Sequence, residues 1–250
     1  MNRHWLKSYP EGVAHDIDTE KFQSLNQLLE DSFKKNAAKP FSVCMDRWMS
    51  YGQLDELSSS LGAWLQGLGL EPGSRVAIML PNIPQFAVTM SAILRAGYTC
   101  VNVNPLYTAR ELEHQLKDSG ATSIVILENF ACTLAEVIER TPVKNVVMTS
   151  MGDLLGFWYG HWITFAVRHL AKLVPAYKLP LGDGRAVTAF NTAISEGSRM
   201  ALKPARNNLD SIAFLQYTGG TTGLSKGAVL THRNIVAAVL QAEEWFTPAL

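Results

Sequence analysis

The sequence has no excess of either charge. Twenty-two Lys and Arg residues face twenty-two Asp and Glu, so the formal net charge at neutral pH is zero. Nucleic-acid binding usually shows a basic excess or stripe, and nothing here supports it. Cysteine is scarce: Cys44, Cys100 and Cys132 are far apart and odd in number. They form no disulfide framework and read as buried free thiols in a reducing compartment. No Cys/His cluster has zinc-like spacing. The first residues, MNRHWLKSYPEG, lack the apolar core of a secretion signal, so a cytoplasmic protein is expected. There are no internal repeats and no low-complexity segments. Long uninterrupted apolar runs are missing too. The richest candidate, within 151–182, is broken by His161, Arg168, His169 and Lys172, which argues against a membrane span.

What remains is an ordinary globular composition, 47% apolar over 250 residues, enough for one large domain or two small ones. Residues 1–20 read as an extended lead-in. Ser24-x-x-Gln27 and Ser50-x-x-Gln53 are capping boxes, and each precedes leucines at helical spacing. Short strands are predicted over 41–45 and 47–49. A strict alternation follows: strand 75–80, helix to about 95, strand 98–103, helix from Thr108, strand 123–127, helix 129–140 and strand 144–149. This rhythm, with near-continuous apolar strands such as Val76–Leu80, predicts an α/β fold. Its sheet is doubly wound and mostly parallel, with helices flanking both faces. The predicted organisation is an α/β subdomain over 21–150, an insertion over 151–182 and a second subdomain beginning at 183. Within that last part a short helix is expected over 190–200, and Thr231 caps a helix that ends at Thr247-Pro248.

The insertion is aromatic. Trp158, Tyr159 and Trp162 stand among apolar residues, while His161, Thr164, Arg168 and Lys172 share one narrow helical face. That pattern fits an interfacial helix over 154–174, with Trp158, Trp162, Arg168 and Lys172 at a membrane surface. A core or oligomer-interface helix fits as well, so a homo-oligomer stays open. In the first case the protein sits peripherally at the inner face of the membrane.

The stretch with the sharpest chemistry is Ser211–Asn234. An apolar strand, Ile212–Tyr217, runs into Thr218-Gly219-Gly220-Thr221-Thr222-Gly223-Leu224-Ser225-Lys226-Gly227. Glycines let the main chain approach a ligand, and successive N–H groups form an anion-binding concavity. Threonine and serine hydroxyls and the Lys226 ammonium add donors. The chemistry this suits is holding a polyphosphate. It is not a Walker A loop, because Lys226 is preceded by Ser225 and followed by Gly227. A nucleophile elbow at Gly219-x-Thr221-x-Gly223 lacks a suitable downstream histidine, since His232 is too near. His114 and His232 read as structural residues.

Tyr217–Ala228, YTGGTTGLSKGA, followed by Thr231-His232-Arg233-Asn234, resembles the phosphate-loop signature of the adenylate-forming ligases. That superfamily includes acyl-CoA synthetases, firefly luciferase and peptide-synthetase adenylation domains. A second Gly where many members have Ser is similar to the bacterial long-chain fatty acid–CoA ligases. The likeness extends through Val101–Thr108 and Glu111–Leu116 and covers nearly the whole chain from Trp5, as the N-terminal portion of that fold. The resemblance implies that the loop, Tyr217 to Ala228, binds the ATP phosphates, and that the Thr218 hydroxyl is near or on a Mg2+ ion. It implies ATP, a fatty acid and CoA as substrates. The residues that hold adenine and ribose, and a lysine on a mobile C-terminal domain, come after this loop in the family. By the resemblance, the catalytic residues are expected downstream of Leu250, and none beyond the loop can be named in this sequence. Aryl–CoA ligation, luciferase-like oxygenation, amino-acid adenylation and a non-catalytic nucleotide- or membrane-binding module remain alternatives.

Overall fold

A computed structural model describes residues 3–180, 182–218 and 225–247. The strands are β1 (Pro40–Cys44), β2 (Arg47–Ser50), β3 (Arg75–Met79), β4 (Thr99–Asn102), β5 (Ser123–Leu127), β6 (Asn145–Thr149), β7 (Ala186–Ala189), β8 (Ile212–Thr218) and β9 (Lys226–Thr231). The helices are α1 (Leu25–Lys35), α2 (Tyr51–Gly67), α3 (Pro84–Arg95), α4 (Ala109–Ser119), α5 (Ala131–Val137), α6 (Phe157–Phe165), α7 (Phe190–Gly197) and α8 (His232–Phe246).

Among the described residues the main sheet has the order β7-β6-β5-β3-β4-β8-β9. Every pair is parallel except the last, where β9 folds back antiparallel on β8. Alternate residues of each strand point to opposite faces. On one face Val76, Ile78, Cys100, Val125, Val147 and Ala213 pack with α1, α2, α3, α7 and α8. On the other, Ala77, Met79, Val101, Ile124, Ile126 and Tyr217 pack with α4 and α5. Burial on both faces is why the central strands read as continuous apolar runs. The doubly wound expectation holds.

Local signals explain most element boundaries. Ser50 with Gln53, Thr108 with Glu111 and Thr231 with Asn234 form full capping boxes. The box expected at Ser24 is only half made. Ser24 accepts from the Gln27 amide, but the Gln27 side chain reaches past it to the Gln23 amide. The lead-in over 1–20 is not simply extended, since it carries 3-10 turns at His4–Ser8 and Thr19–Lys21. The predicted helix over 129–140 is α5 with a 3-10 turn at each end.

Two differences have clear causes, and one expected pair of strands is found. First, β7 is absent from the sequence reading. It has only four residues, too few to show a period, and lies at the sheet edge, where its exposure frees it from the buried pattern of the central strands. Second, the expected break at 183 is no break in the sheet. β7 pairs with β6 and β8 with β4, so β7, β8 and β9 belong to the same sheet. The expected pair, β1 and β2, forms a separate hairpin with a Met45-Asp46 turn in which both residues have positive φ. Of the three cysteines only Cys100 is buried; Cys44 and Cys132 are half-buried, and all are free.

Candidate functional site

The loop at the centre of the argument leaves the carboxyl end of β8 and returns through β9. Gly219, Gly220, Thr221, Thr222, Gly223 and Leu224 lie outside the described residues. Leu250, the position after which the catalytic residues are expected, lies outside them as well, so the described site is the loop's two ends and their supports. Thr218 pairs with Lys226 across the hairpin, and Tyr217 with Gly227. Thr218, Lys226 and Ala228 are exposed; Ser225 and Gly227 are half-buried. β8 is parallel to β4, so the mouth opens at the carboxyl edge of the parallel strands. Open α/β sheets bind ligands at that edge.

Polar contacts from α4 and β4 hold this hairpin. The Tyr217 hydroxyl donates to Asp118 Oδ2 at 2.5 Å. Burial first, and then the adjacent carboxylate, push the phenol well above its ordinary range, so it stays a donor. Its ring lies over Gly227, where an added Cβ would meet ring carbons at 3.0 Å. Tyr217, expected among the phosphate-binding residues, turns its side chain into the sheet's packing, against Gly227 and Asp118. Asn102 donates to Gln216 Oε1 at 2.9 Å, and Gln115 donates to the Asn102 carbonyl at 2.7 Å. His114 Nε2 lies 3.2 Å from the carbonyl oxygen of Ser225. The sequence reading missed Asn102, Gln115, Asp118 and Gln216 as loop supports. The available signal was the i, i+4 spacing of His114 and Asp118 on a helix beside the loop.

A family model described as "AMP-binding enzyme" matches residues 29–249. The chain belongs to this AMP-binding enzyme family. It is 45% identical over its whole length to the long-chain-fatty-acid–CoA ligase of Salmonella typhimurium, and 46% identical to that of Yersinia pestis. In both cases it spans 44% of the relative's length. A crystal structure of a long-chain-fatty-acid–CoA ligase from Archaeoglobus fulgidus superposes with a TM-score of 0.68 at 24% identity, over 96% of this chain and 42% of that one. This likeness is one of fold.

In this AMP-binding family chain His232 is structural, as expected. It is fully buried at the start of α8. Its Nδ1 accepts from the Leu25 amide at 3.1 Å, and its Nε2 meets the Asn207 side chain at 3.2 Å. One ring thus ties together α1, α8 and the 205–208 loop. Burial lowers its pKa from 6.5 to about 4. The folded state therefore keeps the ring neutral where an unfolded chain protonates it. The resulting stability is full above pH 6.5 and is lost as pH falls towards 4, by at most about 3 kcal/mol. Urea unfolding from pH 7.5 to 4 should show this loss, and His232→Gln should remove that part of the slope. A wild-type slope equal to the variant's would contradict it.

The 151–182 stretch forms α6, continued by a π-helical turn at Ala166–Leu170. It packs very closely at one point: a Cβ on Gly160 would lie 2.2 Å from the Gly152 carbonyl oxygen. Two members of the polar stripe, Thr164 and Arg168, are tied to the fold, while His161 and Lys172 are exposed. Thr164 Oγ1 meets Ser150 Oγ at 3.1 Å. Arg168 donates to both carboxylate oxygens of Glu128, at 2.6 and 2.9 Å to Oε2 and 3.1 Å to Oε1. Glu128 is only 3% exposed, so its charge needs this partner, and Arg168 is not a free surface cation. Lys172 is exposed. The aromatic residues point outward, with Trp158 at 84% and Trp162 at 57% exposure. Arg47 of the β1–β2 hairpin stacks on Tyr159 at 5.0 Å, and Trp48 of the same hairpin is also exposed. A cleft of about 580 Å3 lies beside α6 and includes Asp153, His161 and Asn191. Asp153 is already saturated there by Thr149, Ser150 and Asn191, so it offers no free acid. No described helix is long and apolar enough to cross a membrane.

Proposed function

We propose that this chain carries the phosphate-gripping part of an ATP-dependent ligase that activates long-chain fatty acids as CoA thioesters. The observation that carries the reading is the Thr218/Lys226 mouth, set at the carboxyl edge of the parallel sheet. The 45–46% identity to long-chain-fatty-acid–CoA ligases favours fatty acids over aryl or amino acids. The reaction has two steps. A carboxylate oxygen bonds to the α-phosphorus of ATP as the bond to the bridging oxygen breaks, and pyrophosphate leaves. The CoA thiol, losing its proton, then bonds to the acyl carbon, and AMP leaves.

The first step is a problem of charge. Negative charge grows on the bridging oxygen, and donors already in place stabilise it without reorganising. Lys226, the Thr218, Thr221 and Thr222 hydroxyls and the loop amides are the donors assigned to this. Among the described residues no three His, Cys, Asp or Glu side chains cluster as a metal site. A Mg2+ ion here fits a site made mostly of phosphate oxygens and water, with the exposed Thr218 hydroxyl as the protein's contribution. Such an ion neutralises phosphate charge when bound. The test is thioester formation by a full-length ligase carrying this segment, across straight-chain acids of increasing length, aromatic acids and amino acids. A preference for aromatic or amino acids would overturn the substrate assignment.

The outward aromatic face of α6, adjoining the β1–β2 hairpin, supports peripheral attachment to a membrane, where a fatty acid would be met. Trp and Tyr favour the headgroup boundary. Because Arg168 is committed to Glu128, attachment is chiefly apolar, with Lys172 adding a modest salt-sensitive part. The wild type should float with anionic vesicles, and Trp158→Ser combined with Trp162→Ser should abolish that flotation. Equal, negligible flotation of both proteins would contradict it.

A further inference from the structure

Helix α4 makes two contacts to the β8–β9 hairpin that the charge argument above does not use. Asp118 receives the Tyr217 hydroxyl on the strand that enters the loop. His114 meets the carbonyl of Ser225 on the side that leaves it, directly before Lys226. The two residues are four apart, so they lie one above the other on the same helix face. The helix that carries them is fixed at both ends and along its core side. Thr108 and Glu111 cap its start, Gly120 closes it in a left-handed turn, and Leu112 and Leu116 are fully buried.

We infer that His114 and Asp118 form a two-point clamp that sets the separation and angle of the phosphate loop's two ends. Through Ser225 and Tyr217 it fixes where Lys226 and Thr218 stand. The inference rests on reading 217–228 as that loop. Both are positioning residues, since each acts through another group. A carbonyl oxygen only accepts, so His114 must donate from Nε2. A glutamine at this position can donate in the same direction. Charge stabilisation and in-line attack are both sensitive to misplacement of order 1 Å. Loosening either end therefore weakens the grip on polyphosphate without touching the acid.

The experiment compares His114→Ala, His114→Gln, Tyr217→Phe and Lys226→Ala in a full-length ligase carrying this segment. KM is measured for ATP and for the acid, together with the melting temperature. His114→Ala and Tyr217→Phe should each raise the ATP KM by about tenfold, with the acid KM and melting temperature unchanged. His114→Gln should restore most of the loss. If both substitutions leave the ATP KM within about twofold of wild type while Lys226→Ala is impaired, the clamp is wrong and the loop reading stands. If Lys226→Ala is also unimpaired, the loop reading fails and takes the clamp with it. A uniform loss across both KM values and melting temperature, unrelieved by His114→Gln, would reduce the contacts to packing and overturn the inference.

Discussion

Lys226→Ala in a full-length ligase carrying this segment should slow adenylation by roughly 10–1,000-fold, the loss of one or two charge-assisted contacts at about 1.5–3 kcal/mol each. The ammonium stands at the first residue of β9, exposed and opposite Thr218. It is a mobile point charge at the mouth of a loop whose other donors are neutral. Alanine removes that charge and leaves the backbone intact. Melting temperature should hardly change, because the side chain buries no core surface. Pyrophosphate exchange and thermal unfolding, measured on the same preparations, separate the two effects. Wild-type exchange by the variant would show that Lys226 does not touch the reacting phosphates.

An isolated 250-residue chain should form no acyl-CoA from ATP, magnesium, CoA and a long-chain fatty acid. It spans 44% of the length of the Salmonella and Yersinia relatives. A loop that grips pyrophosphate does not by itself hold a carboxylate in line with the α-phosphorus, and positioning of that kind supplies much of an enzyme's advantage. Among the described residues β9 is an edge strand with Val229 exposed, and Val239, Trp245 and Phe246 on α8 are exposed as well. Such an edge invites pairing or aggregation when nothing covers it. Steady thioester formation, above that of the same chain bearing Lys226→Ala, would contradict this.

Much of the fold was legible because burial writes itself into local pattern. Val76–Leu80 and Ser123–Leu127 are covered on both faces, so their apolar runs announced parallel strands. The capping boxes at Ser50 and Thr108 and the cap at Thr231 marked helix starts through side chain–amide bonds that need only local sequence. β7 was not legible, because an edge strand with exposed residues is held by its neighbour β6 and not by its own composition. The Gly/Thr/Lys stretch pointed to a phosphate grip on donor chemistry alone. Its supports did not show. Asp118 meets Tyr217 across 99 residues of chain, and Gln216 meets Asn102 across 114. The partners of the 161–172 polar stripe did not show for a related reason. Helical spacing places His161, Thr164, Arg168 and Lys172 together, but only the fold supplies Glu128 and Ser150, which pair with Arg168 and Thr164.

The most direct measurement is ATP–pyrophosphate exchange in a full-length ligase carrying this segment, with and without acid. The account predicts exchange that begins on addition of a long-chain fatty acid, needs magnesium, and falls by at least about tenfold in Lys226→Ala. Exchange that ignores the fatty acid, or that proceeds equally well without Lys226, would contradict it.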